Sequence, residues 1–162
     1  MKRFMLITSL LLAMLLLISS CGEKDNRGEE KSYLFKVGST EIRIDAEAKD
    51  ILDSLGACLD YSESPSCAFE GMDKVYTYAG FEVETYCLKD VDYIASVQLL
   101  DDSVKTPEGI CIGNSVDQVK EIYGAATEES ATALIYRAKG VTLQFLLRDG
   151  NVTNIQYLKN ES

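Results

Sequence analysis

One thiol in this chain is set up for a covalent modification. Cys21 closes the run Leu17-Ile18-Ser19-Ser20-Cys21-Gly22, an apolar residue, two small residues and a cysteine. That is the pattern of a bacterial lipobox, in which the cysteine becomes the new N-terminus and carries diacylglycerol on its sulfur. The residues before it fit. Lys2 and Arg3 give a positive start, and residues 4 to 18 give an apolar stretch. The stretch is shorter than the ~20 apolar residues of a comfortable membrane span. Each buried lipid methylene contributes about 0.8 kcal/mol, so two or more chains on Cys21 anchor stably where one would not. The expected location is the extracytoplasmic face of a bacterial cell membrane, held by the lipid.

Four more cysteines remain: Cys58, Cys67, Cys87 and Cys111. An even number in an exported chain suggests two disulfides, and four cysteines allow three connectivities. Cys58 and Cys67 flank one short polar stretch and are the obvious pair. That leaves Cys87 and Cys111 to clamp the two halves of the chain. Their scattered positions do not suggest a zinc site, and no metal or cofactor is expected.

Catalytic chemistry has little to work with. The chain has no histidine, which removes the usual general base near neutral pH. No nucleophile elbow or phosphate-cradling loop is present. The acidic pairs Asp90/Asp92 and Asp101/Asp102 lack the spacing of a calcium loop. The expectation is a protein that is not an enzyme. Loss of Lys2 and Arg3 with the signal takes the net charge from −10 to −12. So acidic a surface excludes nucleic acid as a partner.

The elements that would position a site follow. Residues 1 to 20 read as a lipoprotein signal peptide and 21 to 33 as a lipidated tether, polar from Gly22 to Ser32. Residues 34 to 102 and 103 to 162 read as two αβ repeat units. Ile42-Arg43-Ile44-Asp45-Ala46 runs into Ile51-Leu52-Asp53-Ser54-Leu55-Gly56-Ala57. Sixty-eight residues later Ile110-Cys111-Ile112-Gly113-Asn114 runs into Val119-Lys120-Glu121-Ile122-Tyr123-Gly124-Ala125. Each reads as a short strand and a short amphipathic helix. Asp45 and Ser115 are plausible N-caps, and Ser115 with Gln118 has capping-box spacing. Gly56 and Gly124 fall where a helix ends.

Hairpins follow, with two-residue turns at Ala79-Gly80 and Lys139-Gly140. Third strands come at Ser96-Val97-Gln98-Leu99 and Asn154-Ile155-Gln156-Tyr157. The first unit carries eight extra residues between helix and hairpin, in the stretch Cys58 to Lys74. Its segment Asp60 to Ser66 reads as a polar, turn-prone loop. The expected fold class is α+β: two tandem units, each a short helix packed on an antiparallel β-meander, forming one continuous domain.

This order of elements, with Ile110-Cys111-Ile112-Gly113-Asn114-Ser115 and Val119 to Gly124, resembles the superfamily of β-lactamase inhibitory protein and the SmpA/OmlA outer-membrane lipoproteins. The phrases Ser66 to Gly71 and Ser103 to Gly109 look closer still to uncharacterised lipoproteins of anaerobic Gram-positive bacteria. The resemblance implies a scaffold whose exposed sheet face binds partners. It names no target.

Two-residue turns set side-chain parity, so one face can be read off. Leu134, Tyr136, Leu143 and Phe145 share an apolar face expected under the helices, with Tyr76 and Phe81 in the first unit. The other face carries the candidate binding residues: Val75, Thr77, Glu82, Glu84 and Tyr86, then Ile135, Arg137, Thr142, Gln144 and Leu146. The expected function is non-catalytic binding of a protein or envelope ligand by this face. The rival readings are a structural or assembly lipoprotein of the envelope and an unrecognised hydrolase.

Overall fold

The computed structural model describes residues 32–68 and 70–160. Cys21, the signal and most of the tether lie outside the described residues. The chain runs β1 (Phe35–Val37), β2 (Thr40–Ile42), α1 (Ala48–Leu55), β3 (Asp60–Pro65), β4 (Met72–Tyr78), β5 (Phe81–Leu88) and β6 (Val91–Leu99). It continues through α2 (Val116–Tyr123), β7 (Glu128–Glu129), β8 (Ala133–Ala138), β9 (Val141–Arg148) and β10 (Asn151–Lys159).

Local chemistry accounts for the short elements. At α2, Ser115 Oγ accepts the Gln118 N–H while Gln118 Oε1 accepts the Ser115 N–H, a closed capping box. Gly56 and Gly124 end the two helices at φ +77°, a backbone region that costs glycine nothing. The two-residue turns at Ala79-Gly80 and Lys139-Gly140 join β4 to β5 and β8 to β9.

The expected α+β fold class is corrected by the sheet. Ten strands against two eight-residue helices make the described chain mainly β. Eight of the strands form one antiparallel sheet in the order β3-β4-β5-β6-β10-β9-β8-β7, with no break between the halves. The chain is therefore not two units of a helix on its own meander. The physical reason lies at the sheet centre. Val97 and Leu99 of β6 and Ile155 and Tyr157 of β10 are at most 1% exposed. Separate meanders would leave those strands as apolar edges, which pair when they can. The pairing sets Val97 against Tyr157, Gln98 against Gln156 and Leu99 against Ile155. Gln98 and Gln156 thus meet as partners on a local two-fold axis.

Other sequence expectations shift for identifiable reasons. Asp45 does not cap α1; Glu47 stands at that position without a side-chain cap. The Asp45 N–H donates to the Ile94 carbonyl (2.8 Å), and the Ile94 N–H to the Ala46 carbonyl (2.9 Å). That bridge to β6 delays the helix. Ile110 to Ile112 lies outside any strand, and Asn114 Oδ1 takes the Cys111 N–H at 2.7 Å. Asp60 to Pro65 is the outermost strand of the sheet, not a loop.

One face of the sheet is covered. Phe35 of the separate β1–β2 ribbon packs its ring 5.3 Å from Phe81 and 5.8 Å from Tyr157. Tyr123 of α2 lies 5.3 Å from both Tyr136 and Phe145. Ile51, Leu52 and Leu55 of α1 join the same core. The linker between the halves is pinned there too. The Tyr123 hydroxyl reaches Glu108 Oε2 at 2.5 Å and Thr106 Oγ1 at 2.9 Å. Burial pushes the Tyr123 phenol far above its ordinary range, so it stays a neutral donor.

The two suggested cysteine pairs lie apart in the structure, where all four residues are separate thiols. Cys58 precedes β3 and Cys67 follows it, and six extended residues hold them roughly 20 Å apart. A disulfide needs Cα atoms within about 7 Å. Cys87 pairs with Asp92 at one end of β6. Cys111 lies beyond the other end, where the Gly113 N–H donates to the Val152 carbonyl of β10. The length of β6, roughly 26 Å, separates them.

Candidate functional site

Period-two alternation turns every second side chain away from the covered face. The register arranges these side chains in rows across the strands. Thr77 pairs with Glu82, Glu82 with Gln98, Gln98 with Gln156, Gln156 with Gln144 and Gln144 with Ile135. Asp60 and Glu128 complete the row at the two edges, so it crosses all eight strands. A second row joins Val75, Glu84, Ser96, Leu158, Thr142 and Arg137. Leu146 follows, between Asn154 and Ala133. Both helices and the β1–β2 ribbon put their buried side chains into the core on the other side. Among the described residues this face carries no packed element.

The structure therefore brings nine of the ten candidates together in three adjacent rows. Seven spacings of about 4.8 Å make the face roughly 34 Å across. Its polar groups are largely held in place. Gln156 Nε2 donates to Gln98 Oε1 at 2.5 Å, across the local two-fold. Ser96 Oγ donates to Glu84 Oε2 at 3.0 Å. Arg137 donates Nε and Nη2 to Glu128 Oε1 (3.0 and 2.9 Å) and Nη1 to Thr142 Oγ1 (3.2 Å). Thr142 itself is only 5% exposed, so it positions Arg137 and offers little contact surface of its own.

Tyr86 departs from its expected role as an anchor. It is 5% exposed. Its hydroxyl donates to Asp45 Oδ1 and accepts from Lys159 Nζ at 2.7 Å, while Lys159 also pairs with Asp45 at 2.8 Å. The Lys159 ammonium stands 4.4 Å from the Tyr86 ring centroid, and Tyr93 stacks on Tyr86 at 5.6 Å. Tyr86 thus ties the bridge before α1 to the end of β10. Nothing in the local sequence signals this contact, because it joins positions far apart in the chain.

Partial burial pushes the Asp45 carboxyl up, but the hydrogen bonds with Lys159 and Tyr86 and the Lys159 charge outweigh it and hold it below the usual range. A depressed carboxylate stabilises the fold above its unfolded pKa of about 3.9, and that stabilisation is lost as pH falls through the folded value. Asp45→Asn is therefore expected to melt below the parent at neutral pH. The gap should narrow as pH drops below about 4. Thermal midpoints measured from pH 7 to pH 2 test this; a gap constant across that range contradicts it.

A concavity lies on the covered side, against α1. It encloses about 540 Å³ between Glu47, Leu52, Asp53, Tyr76, Val91 and Asp92. Lys74 donates into its floor, 2.6 Å from Asp92. The face is the broader site and the one the parity of the sequence points to.

No family model matches the chain, and no curated protein matches it. Among solved structures, an extracellular protein containing a SCP domain from Bacillus anthracis shares the fold at a TM-score of 0.55 and 10% identity. The match covers 80% of this chain and 49% of that one, so the chain spans about half the length of that protein.

Proposed function

We propose that this is a non-catalytic, lipid-anchored protein of the extracytoplasmic face that binds a partner protein through the open face of its eight-stranded sheet. The carrying observation is the absence of any described element on that face, where Gln144, Ile135, Leu146 and Arg137 stand side by side. The face is mixed rather than wholly polar. Leu146 and Ile135 are half-buried apolar residues beside a held guanidinium, the composition from which interface anchors are drawn. A face of this width can supply the roughly 800 Å² per partner of an ordinary interface. The extracytoplasmic placement is supported by the Cys21 motif. Among the described residues no helix is long and apolar enough to cross a membrane.

Photo-crosslinking side chains placed at Gln144 and Gln98, with Glu121 on α2 as control, test the reading in intact envelopes. Adducts from the face positions and none from Glu121 are expected. Equal adducts from all three overturn it. An adduct that proves to be part of an envelope assembly complex moves the role from ligand capture to assembly. Anchoring is tested separately. Cys21→Ser is expected to leave the precursor uncleaved or to release the protein from the membrane fraction, as an immunoblot of fractions would show. A processed variant that stays membrane-bound contradicts the lipid anchor.

A further inference from the structure

We propose that the edge of β3, unpaired on its outer side among the described residues, accepts an extended, basic segment of a partner protein as a ninth strand. This surface is the edge of the sheet, not its open face, and the two stand or fall separately. All six residues of β3 are exposed, and β3 is the outermost strand. The Ser66 N–H donates to the Gly71 carbonyl at 3.0 Å, and Ser64 pairs with Asp73 and Ser62 with Val75. Antiparallel pairing alternates, so the even-numbered residues bond to β4. The backbone N–H and C=O of Tyr61 and Glu63 then point outward, where an added strand would meet them.

The opposite edge shows what a closed edge of this sheet looks like. β7 has two residues, and both are tied back: Glu128 to Arg137 at 2.9 Å and Glu129 to Lys120 at 2.5 Å. Natural edges are blunted by short length, inward charges, lysines or proline. β3 is three times as long, has no lysine or arginine, and carries proline only as its last residue. The extra residues of the first half of the chain are what build it. They leave Leu59 75% exposed and Tyr61 44% exposed at the rim.

Charge selects the occupant. Asp60 and Glu63 lie on the strand, Glu70 in the following turn and Asp73 beside it, and no basic residue occurs from Leu59 to Asp73. The nearest cation, Lys74, is paired with Asp92. A second copy of β3 would bring acidic strands together in a chain of strongly negative net charge. A basic strand would gain both the main-chain bonds and the charge match, the mode of strand addition to a sheet edge.

A blocked eight-residue peptide of alternating lysine and valine serves as the probe, applied to the full mature chain. It is expected to bind and to slow amide exchange at Tyr61 and Glu63 by about tenfold or more, with no comparable change on β7. The same peptide N-methylated at alternate residues should bind about tenfold more weakly, because its main chain cannot pair. Glu63→Pro removes an outward donor without breaking a bond to β4. It should abolish the protection, while Glu63→Gln keeps it. The N-methyl comparison decides the matter if Glu63→Pro fails to fold. Equal binding of both peptides means charge attraction alone and overturns the proposal. So does absence of binding, or protection of Tyr61 and Glu63 already present in the free protein.

Discussion

A fragment of residues 103–162 is expected not to fold as a monomer. It keeps α2 and strands β7 to β10, the whole of the second half, yet it loses β6. In the intact chain β10 is a central strand, with β6 on one side and β9 on the other. Without β6, Ile155 and Tyr157 lie on an open edge, and the ring contact of Tyr157 with Phe35 is gone. A fully buried side chain of this kind contributes about 1.5–3 kcal/mol, against a total stability of about 5–15 kcal/mol for an ordinary domain. So short a chain also buries too little surface to compensate. Circular dichroism at micromolar concentration should show no cooperative melt. A sharp, concentration-independent transition would show that the second half is self-sufficient and that the β6–β10 seam matters less than its burial implies.

Phe145→Ala is expected to cost about 3–5 kcal/mol, the range for emptying a buried aromatic site. Phe145 is fully buried and lies under both Tyr123, at 5.3 Å, and Tyr136, at 5.9 Å. Its loss loosens α2 from the sheet as well as opening a cavity. The thermal midpoint should fall by roughly 10–20 °C for a chain of this size. The adjacent Leu146→Ala should cost about 1 kcal/mol or less, since its side chain sits half-buried on the open face. The pair of variants reads the two faces of β9 from one strand. If both cost the same, the open face is covered by something that the fold does not show.

Much of the local structure was legible. The alternation in Leu134 to Leu147 names the buried face because a strand turns successive side chains to opposite sides. The two glycine turns then carry that parity across each hairpin, so nine of the ten candidate residues land on one surface. Ser115 and Gln118 announce their capping box by spacing alone. Tyr86 is the exception. Parity puts it on the open face, but Asp45 and Lys159 arrive from distant parts of the chain to cover it.

What the sequence by itself determined is what depends on neighbours a few residues apart: the two-residue turns, the glycines that end the helices and the strand faces. What only the tertiary structure decided is which edges meet. Nothing within Ser96 to Leu99 or Asn154 to Tyr157 says that these strands pair with each other. They do so because each would otherwise be an unpaired apolar edge, and joining them makes one sheet of two meanders. The same holds for Asp60 to Pro65. Its polar residues carry no strand pattern of their own, and it is extended because the edge of β4 offers it backbone partners. That one pairing holds Cys58 and Cys67 at opposite ends of β3, although they are close in sequence.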